Sequence, residues 1–491
     1  MSEIHAEGWR EKIRAAFWRH RRVHLVLLVW AVCYLPGLGS VEIKGEEGRR
    51  ILPGVTMLES GNYLVPHVGS EPYFRKPPLI NWLVAASFKL TGVRNEWTAR
   101  LPSALCILAV ALAFVSLAAP SLGATGSFLA ALIWLTFAGN LEKGRQIEIE
   151  ALYVSLTALA FVCWMAAYRS GRTGLRLWLV PAIFLGLGIL AKGPLPHLLF
   201  FYGPVIAILR RDGKLALLVT RAHFLALLIT FGLFACWAVP AYLLSDSSHV
   251  AAVWGRQFKG RVTGQQFQFV SWVTAIPRSL VYLLPWLPFA LFQVEMPAEE
   301  RSSQRVLLAG MTVPFVLVCL LPEAVPRFSL PVLGPAAWWF SELLRHTPWR
   351  FPTWLGARTF DERWRRRAVA TILVLTCLFM LVYAVVMGRH SQAREKIRKH
   401  ARQIDLIVPA NVPLYAVDPQ YQPYLFYVHA PVHYVSSIDE LPPETKFFLV
   451  QERDEAEGNT TKHWAPRRPQ LVLHIKDYRE REAVLYSVPS P

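Results

Sequence analysis

Five short polar strings in this 491-residue chain set carboxylates beside permanent cations, a combination that can hold a phosphate and move a proton next to it. They are Glu46-Glu47-Gly48-Arg49, Tyr73-Phe74-Arg75-Lys76-Pro77-Pro78, Arg145 with Glu148 and Glu150, Lys192-Gly193-Pro194, and Pro326-Arg327-Phe328. A carboxylate such as Glu46 can orient or deprotonate an acceptor, or stabilise positive charge at a sugar's anomeric carbon. Arginine offers a phosphate a planar fork and lysine a point charge. Bland readings compete: a Glu-Glu pair alone is commonly a solvated loop, and Lys192 can be a snorkelling anchor at a helix end.

Hydrophobic residues make up 54% of the chain and charged residues 18%, which excludes a soluble globular protein. Runs of about 20 apolar residues span a bilayer. About eleven are predicted, over 22–40, 98–118, 122–138, 150–168, 176–191, 195–210, 217–243, 279–295, 304–322, 327–343 and 368–387. The first reads as a retained helix, because no small-residue cleavage site follows it. The net charge of +18 collects in membrane-flanking segments such as Arg19-His20-Arg21-Arg22, Arg210-Arg211 and Arg365-Arg366-Arg367. That distribution points to membrane lipids and not to nucleic acid. With those segments in the cytoplasm, 77–92 lies at the interface, and all five polar strings fall on the opposite side. A channel needs polar groups through the bilayer, whereas an enzyme acting on a lipid-phosphate headgroup needs them at one face.

The domain reading is a membrane bundle over 1–387, with external loops at 41–77 and 244–278, followed by an extracytoplasmic domain over 388–491. The latter has a basic amphipathic helix at Gln392–Ile407 and strand-length runs at 412–417, 424–428, 446–450, 471–475 and 482–486, predicting a small α/β fold. It carries no phosphate loop, nucleophile elbow or metal-ligand spacing. All six cysteines fall within predicted spans, against a disulfide scaffold.

The stretch Glu46-Glu-Gly-Arg49, Met57-Leu-Glu-Ser-Gly-Asn-Tyr-Leu-Val-Pro-His67 and Glu71-Pro-Tyr-Phe-Arg-Lys-Pro-Pro-Leu-Ile-Asn-Trp82 resembles the membrane-embedded GT-C glycosyltransferases related to the lipid A aminoarabinose transferase and the protein O-mannosyltransferases. Shorter echoes follow in order: Gly144–Glu150, Gly188–Pro194, Arg256-Gln-Phe-Lys-Gly-Arg261, Leu284-Pro-Trp286 and Val325–Pro331. The resemblance implies a mainly α, polytopic helical bundle with a juxtamembrane first external loop. It implies transfer of a sugar from a polyprenyl-phosphate donor to an extracytoplasmic acceptor (lipid A or another glycolipid, a glycan or a protein), by a monomer in the bacterial inner membrane with its active site facing the periplasm.

By the same resemblance Glu46 stands at the position of the first-loop catalytic Asp and Glu150 at the second acidic position, each longer than Asp by one methylene. Arg49 holds Glu46 or the phosphate; Lys76, with Tyr73 and Arg75 nearby, neutralises the donor phosphate; Lys192 and Arg327 are further candidates for phosphate or acceptor. Glu47, Arg145, Arg256 and Arg261 are candidates for contacting acceptor or lipid. The aminoarabinose transferase holds a divalent metal through a Glu before the lysine and a His in the later loop. Here those positions are Arg75 and Phe258, so no metal or other cofactor is expected there. The alternative from another class is a flippase or transporter of the lipid-linked sugar, which needs ionisable groups deep within several spans.

Overall fold

The computed structural model describes residues 20–43, 45–193, 197–245, 250–251, 253–255, 267–322, 324–352, 354, 356, 358–395, 397–417, 422–451, 468–476 and 482–489. The chain forms two compact units. One comprises 1–36, 103–240 and 251–382; the other comprises 37–102, 241–250 and 383–491.

Seven helices among the described residues are long and apolar enough to cross a bilayer: Glu96–Leu117, Ala119–Thr136, Ile149–Arg169, Leu175–Lys192, Arg221–Leu243, Ala298–Cys319 and Glu362–His390. At about 1.5 Å per residue they run from about 27 to about 44 Å, against a hydrocarbon core of roughly 30 Å. The protein is a multi-span membrane protein. Within the first unit Ile149–Arg169 is central and buried nearly all round. Helices His197–Arg211 and Ala298–Cys319 approach so closely that a Cβ at Gly203 would lie 2.4 Å from the Gly310 carbonyl oxygen. At one end of the bundle Tyr168 donates to Asp212 at 2.6 Å and Arg169 donates to Ser303 at 2.7 Å. These arginine-rich loops therefore lie at the opposite end of the 149–169 helix from Glu150.

Two expected spans fold differently. The run 279–295 contains Pro285 and Pro288 and follows Pro277, and proline removes a helical hydrogen bond. It resolves into a helix Ala275–Leu280, 3-10 turns Val281–Leu283 and Leu287–Leu291, and a strand Gln293–Val294 paired with Trp349–Arg350, so it is not a spanning helix. The run 327–343 opens with turns Pro326–Phe328 and Leu330–Val332 before the helix Leu333–Arg345.

In the second unit the first external segment is itself structured. A 3-10 turn Gly45–Glu47 leads into the helix Gly48–Ser60, then a two-residue ladder pairs His67–Val68 with Glu71–Pro72, and the helix Leu79–Thr91 follows. A helix is expected over 77–92, and at 13 residues this one is too short to span a bilayer. The C-terminal part is a five-stranded sheet in the order Val432–Val435, Leu414–Val417, Phe447–Gln451, Glu482–Ser487, Gln470–Lys476. The first three strands are parallel and the rest antiparallel. Alternate residues serve its two faces. Leu414, Ala416, Leu449 and Leu485 pack on Ile397, Ala401 and Ile404 of the helix Ile397–Asp405, while Phe448, Val450, Val484 and Tyr486 pack on Ile438 and Leu441. The run 424–428, expected as a strand, is a 3-10 turn Pro423–Tyr427. Its apolar residues are contiguous after a proline, whereas the strand Val432–Val435 alternates.

Charged contacts stitch the first segment to the C-terminal sheet within this unit. Glu42 accepts the Ile397 N–H at 2.8 Å, and the Tyr427 hydroxyl accepts the Ile43 N–H at 2.7 Å. Glu96 receives hydrogen bonds from Arg398 and from Tyr427. Burial and the Glu96 charge push the Tyr427 phenol far above its usual range. It stays a neutral hydroxyl that can donate and accept together.

Candidate active site

In the second unit the site is built on the turn and first helical turn of residues 45–51. Glu46, whose side chain is 43% exposed, is gripped from two sides. Arg49 Nη1 donates to both its oxygens at 3.0 and 3.2 Å, and Arg50 Nη2 lies 3.7 Å from Oε2. The spacings i+3 and i+4 put both guanidinium groups on the Glu46 face of the helix. Arg50 is buried and donates to the Tyr73 hydroxyl at 2.6 Å, with the ring 5.8 Å from its guanidinium carbon. Asn81 on the helix Leu79–Thr91 holds the Arg50 carbonyl at 2.8 Å. Glu46 and Arg49 thus come together as the resemblance implied, and Tyr73 joins them through Arg50, a residue outside the expected set. Arg75 is exposed and Lys76 half-buried, two and three residues past Tyr73.

Glu47 does a different job from the one expected. Its carboxylate is buried against Arg100, with Nε and Nη2 each donating at 2.8 Å to one oxygen. Arg100 also donates to the carbonyls of Leu38, Val41 and Glu42. A fork fully engaged in this way holds the loop's entry and leaves the Glu47 carboxylate turned away from any acceptor.

In the first unit Glu150 lies in the first turn of its helix, and Lys192 closes the helix Leu175–Lys192. Gly193 has φ +106°, a conformation side chains avoid, so the helix stops there and presents Lys192. Lys192 Nζ donates to Glu150 Oε1 at 3.0 Å, with the two side chains 6% and 8% exposed. Arg327, 47% exposed, places Nε 3.7 Å from the same oxygen. The lysine ammonium lies over the rings of Tyr153 at 4.7 Å and Phe328 at 5.2 Å. Three expected residues from three segments meet here, and the two aromatic walls are additions. Both were findable: Tyr153 follows Glu150 by three helical positions, and Phe328 adjoins Arg327. Glu148, just outside the helix, is pushed above the usual carboxylate range by burial although Lys143 lies 3.0 Å away.

Arg145 departs from expectation. It donates to the carbonyls of Cys33 and Pro36 at 2.8 and 2.5 Å, capping the end of the first helix. Arg256, Arg261 and Phe258 lie outside the described residues. Among the described residues no group of three or more His, Cys, Asp or Glu side chains is placed to hold a metal ion.

A model of the dolichyl-phosphate-mannose-protein mannosyltransferase family matches residues 75–239. The undecaprenyl phosphate-alpha-4-amino-4-deoxy-L-arabinose arabinosyl transferase of Pseudomonas savastanoi pv. phaseolicola is 27% identical over 335 residues, covering 65% of this chain and 60% of its own. A Proteus mirabilis protein of the same name, numbered 2, is 25% identical over 326 residues, covering 64% and 57%. The chain thus spans less than two thirds of the length of these relatives. The crystal structure of ArnT from Cupriavidus metallidurans bound to undecaprenyl phosphate shares the fold at a TM-score of 0.68 and 17% identity, over 96% of this chain and 98% of that one. The chain is thus similar to the dolichyl-phosphate-mannose-protein mannosyltransferase family over 75–239 and to these arabinosyl transferases over about two thirds of its length, and it shares the fold of the ArnT structure.

Proposed function

We propose that this protein is a membrane glycosyltransferase that moves a sugar from a polyprenyl-phosphate carrier to an extracytoplasmic acceptor, in a bacterial inner membrane with its reactive groups facing the periplasm. The observation that carries this reading is the Lys192–Glu150–Arg327 cluster: two cations on one carboxylate, between aromatic faces, where spanning segments end. In the reaction an acceptor lone pair forms a bond to the anomeric carbon, and the bond from that carbon to the phosphate oxygen breaks. The phosphate leaves with the electron pair, and the acceptor's proton passes to a carboxylate. Lys192 and Arg327 neutralise the departing charge, which is where fixed cations accelerate transfer most, and the resemblance assigns the same task to Lys76 and Arg75. Glu46, steadied by Arg49 and Arg50, positions the acceptor or takes its proton.

The relatives' names favour undecaprenyl phosphate as carrier and an aminopentose as sugar, and the resemblance to the lipid A aminoarabinose transferase favours lipid A or a related glycolipid as acceptor. With Arg75 where the resemblance implies a metal-binding carboxylate, the guanidinium itself supplies positive charge, and transfer should persist in a chelator. Mass spectrometry of envelope glycolipids and glycoproteins, with and without the protein, tests the reading by naming sugar and acceptor together. Lys76→Ala should erase that mass difference at normal expression; its persistence would remove Lys76 from the mechanism.

A further inference from the structure

A second polar cleft lies within the 37–102/383–491 unit, at the far end of the helix that Glu46 opens. It has a volume of about 730 Å³, inside the range of small-molecule sites. The end of the Gly48–Ser60 helix, the turn between His67 and Ser70, and the strand Val432–Val435 with its flanks form its walls. That strand is an edge, paired only with Leu414–Val417, so its outer backbone groups border the cleft.

The lining is unusual for a chain of net charge +18, because among the described residues no Lys or Arg lines it. Carboxylates come from Glu59 and Glu440, hydroxyls from Ser60, Ser436 and Tyr434, and an amide from Asn62. Arg94 fixes Glu59 from one side at 2.8 Å, and Glu440 accepts the Ser436 N–H at 2.8 Å, so both carboxylates are held in place. The Ser70 hydroxyl, on the wall, is buried and takes no hydrogen-bond partner from the described residues. Burial and the Glu59 charge push the Tyr434 phenol well up, keeping it a donor. A phosphate would meet two carboxylates with no described Lys or Arg on the wall to offset them, only the imidazoles of His67 and His433. Among the described residues no group of three His, Cys, Asp or Glu side chains is placed there to hold a metal ion. An extended peptide would find only a four-residue edge and few apolar pockets. A ring bearing several hydroxyls matches the mixed donors and acceptors, and an amine on it would be welcomed by the carboxylates.

We infer that this cleft binds an uncharged or amine-bearing sugar unit of the acceptor, remote from the reacting atom. Glu59 stands 13 residues beyond Glu46, about 20 Å along the helix. The acceptor is therefore an extended glycan, gripped at one sugar while another reacts. The inference rests on the transferase reading only in calling that glycan the acceptor.

The test uses the full chain in lipid nanodiscs, without donor, on an array of neutral, amino and phosphorylated oligosaccharides. Neutral or amino glycans should bind, and Glu59→Gln combined with Glu440→Gln should weaken them about tenfold. Capture of phosphorylated glycans alone, of peptides alone or of nothing would overturn the inference, as would unchanged binding by the variant. A diazirine-bearing glycan on the wild-type protein gives a readout independent of the variant's folding: adducts should map to 56–70 or 431–440, and adducts elsewhere refute it. Glycan capture without any envelope product sinks the transferase reading and leaves the cleft; product without capture does the reverse.

Discussion

Replacing Lys192 by Met separates holding the fold from doing chemistry. At 3.0 Å and an effective dielectric near 20, the Lys192–Glu150 attraction is about 5–6 kcal/mol. Desolvating two side chains that are 6% and 8% exposed consumes several kcal/mol per ion, so the intact pair is close to neutral. Removing the lysine alone strands a buried carboxylate, which typically costs about 3–5 kcal/mol. Arg327 can recover part of that, but it is 47% exposed and 3.7 Å away, so water screens it toward about 1 kcal/mol. The net expectation is a loss of about 2–4 kcal/mol, with less than about 1 kcal/mol for Lys192→Met together with Glu150→Gln, which removes both charges. Unfolding in mixed micelles measures the stability term, and transfer to the envelope acceptor measures the chemical one. If Lys192 stabilises the departing phosphate, the double variant regains stability while transfer stays down by about 100-fold or more. A double variant that transfers normally would make the pair purely structural, and a single variant as stable as wild type would refute the burial argument altogether.

Other perturbations read different parts of the molecule. Arg100→Ala should destabilise by about 3–5 kcal/mol, because it strands Glu47 and three loop carbonyls, and Arg100→Lys should not restore the two-pronged grip; thermal unfolding decides. Arg50→Met should slow transfer more than Tyr73→Phe does, since it loosens Glu46 and orphans Tyr73 together; equal rates for the two variants would count against a positioning role. At the opposite end of the bundle, burial pushes the Asp212 carboxyl up, but hydrogen bonds from Arg211 and Tyr168 outweigh it and hold the group below the usual carboxylate range. Folding therefore favours the charged form, whose contribution is present above the unfolded value of ~3.9 and lost as pH falls through the lower folded one. Asp212→Asn should thus lower the melting temperature at neutral pH by an amount worth no more than about 1 kcal/mol, and the difference should close in acid. A gap that persists at low pH would mean the side chain acts by packing.

Sequence patterns located the polar residues better than they located the backbone around them. Local spacing brings Glu46 and Arg49 together, while Tyr73 reaches them across 23 residues through Arg50. Arg50 was hidden because two adjacent arginines look alike until a helix assigns one to the surface and one to the interior. The Glu47–Arg100 pair joins residues 53 positions apart, and no periodicity announces it. Hydropathy averaged over 279–295 concealed Pro285 and Pro288, so a run apolar enough to span folded into short turns. The strand Val432–Val435 escaped notice because its length and His433 gave it little apolar signal, while the fully apolar Tyr424–Val428 drew attention and proved to be a turn.

The placement of Glu150 and Lys192 explains how two charges stay buried before any ligand arrives. Glu150 lies in the opening turn of its helix, where unpaired N–H groups favour an anion, and Lys192 ends another, where unpaired carbonyls favour a cation. Each helix end contributes about 0.3–1 kcal/mol, up to ~2 when partly buried. The Tyr153 and Phe328 rings add a smaller attraction for the ammonium, of about 0.5–2 kcal/mol, and exclude water from it. A phosphate binding Lys192 competes with Glu150 for the same Nζ hydrogens, so occupying the cation releases the carboxylate. Arg327, already half in solvent, can follow the phosphate without a comparable desolvation penalty. Under the proposed transfer, the contact that stabilises the cluster would therefore release a cation to the phosphate and a base to the acceptor in one exchange, which a lysine buried alone could not do.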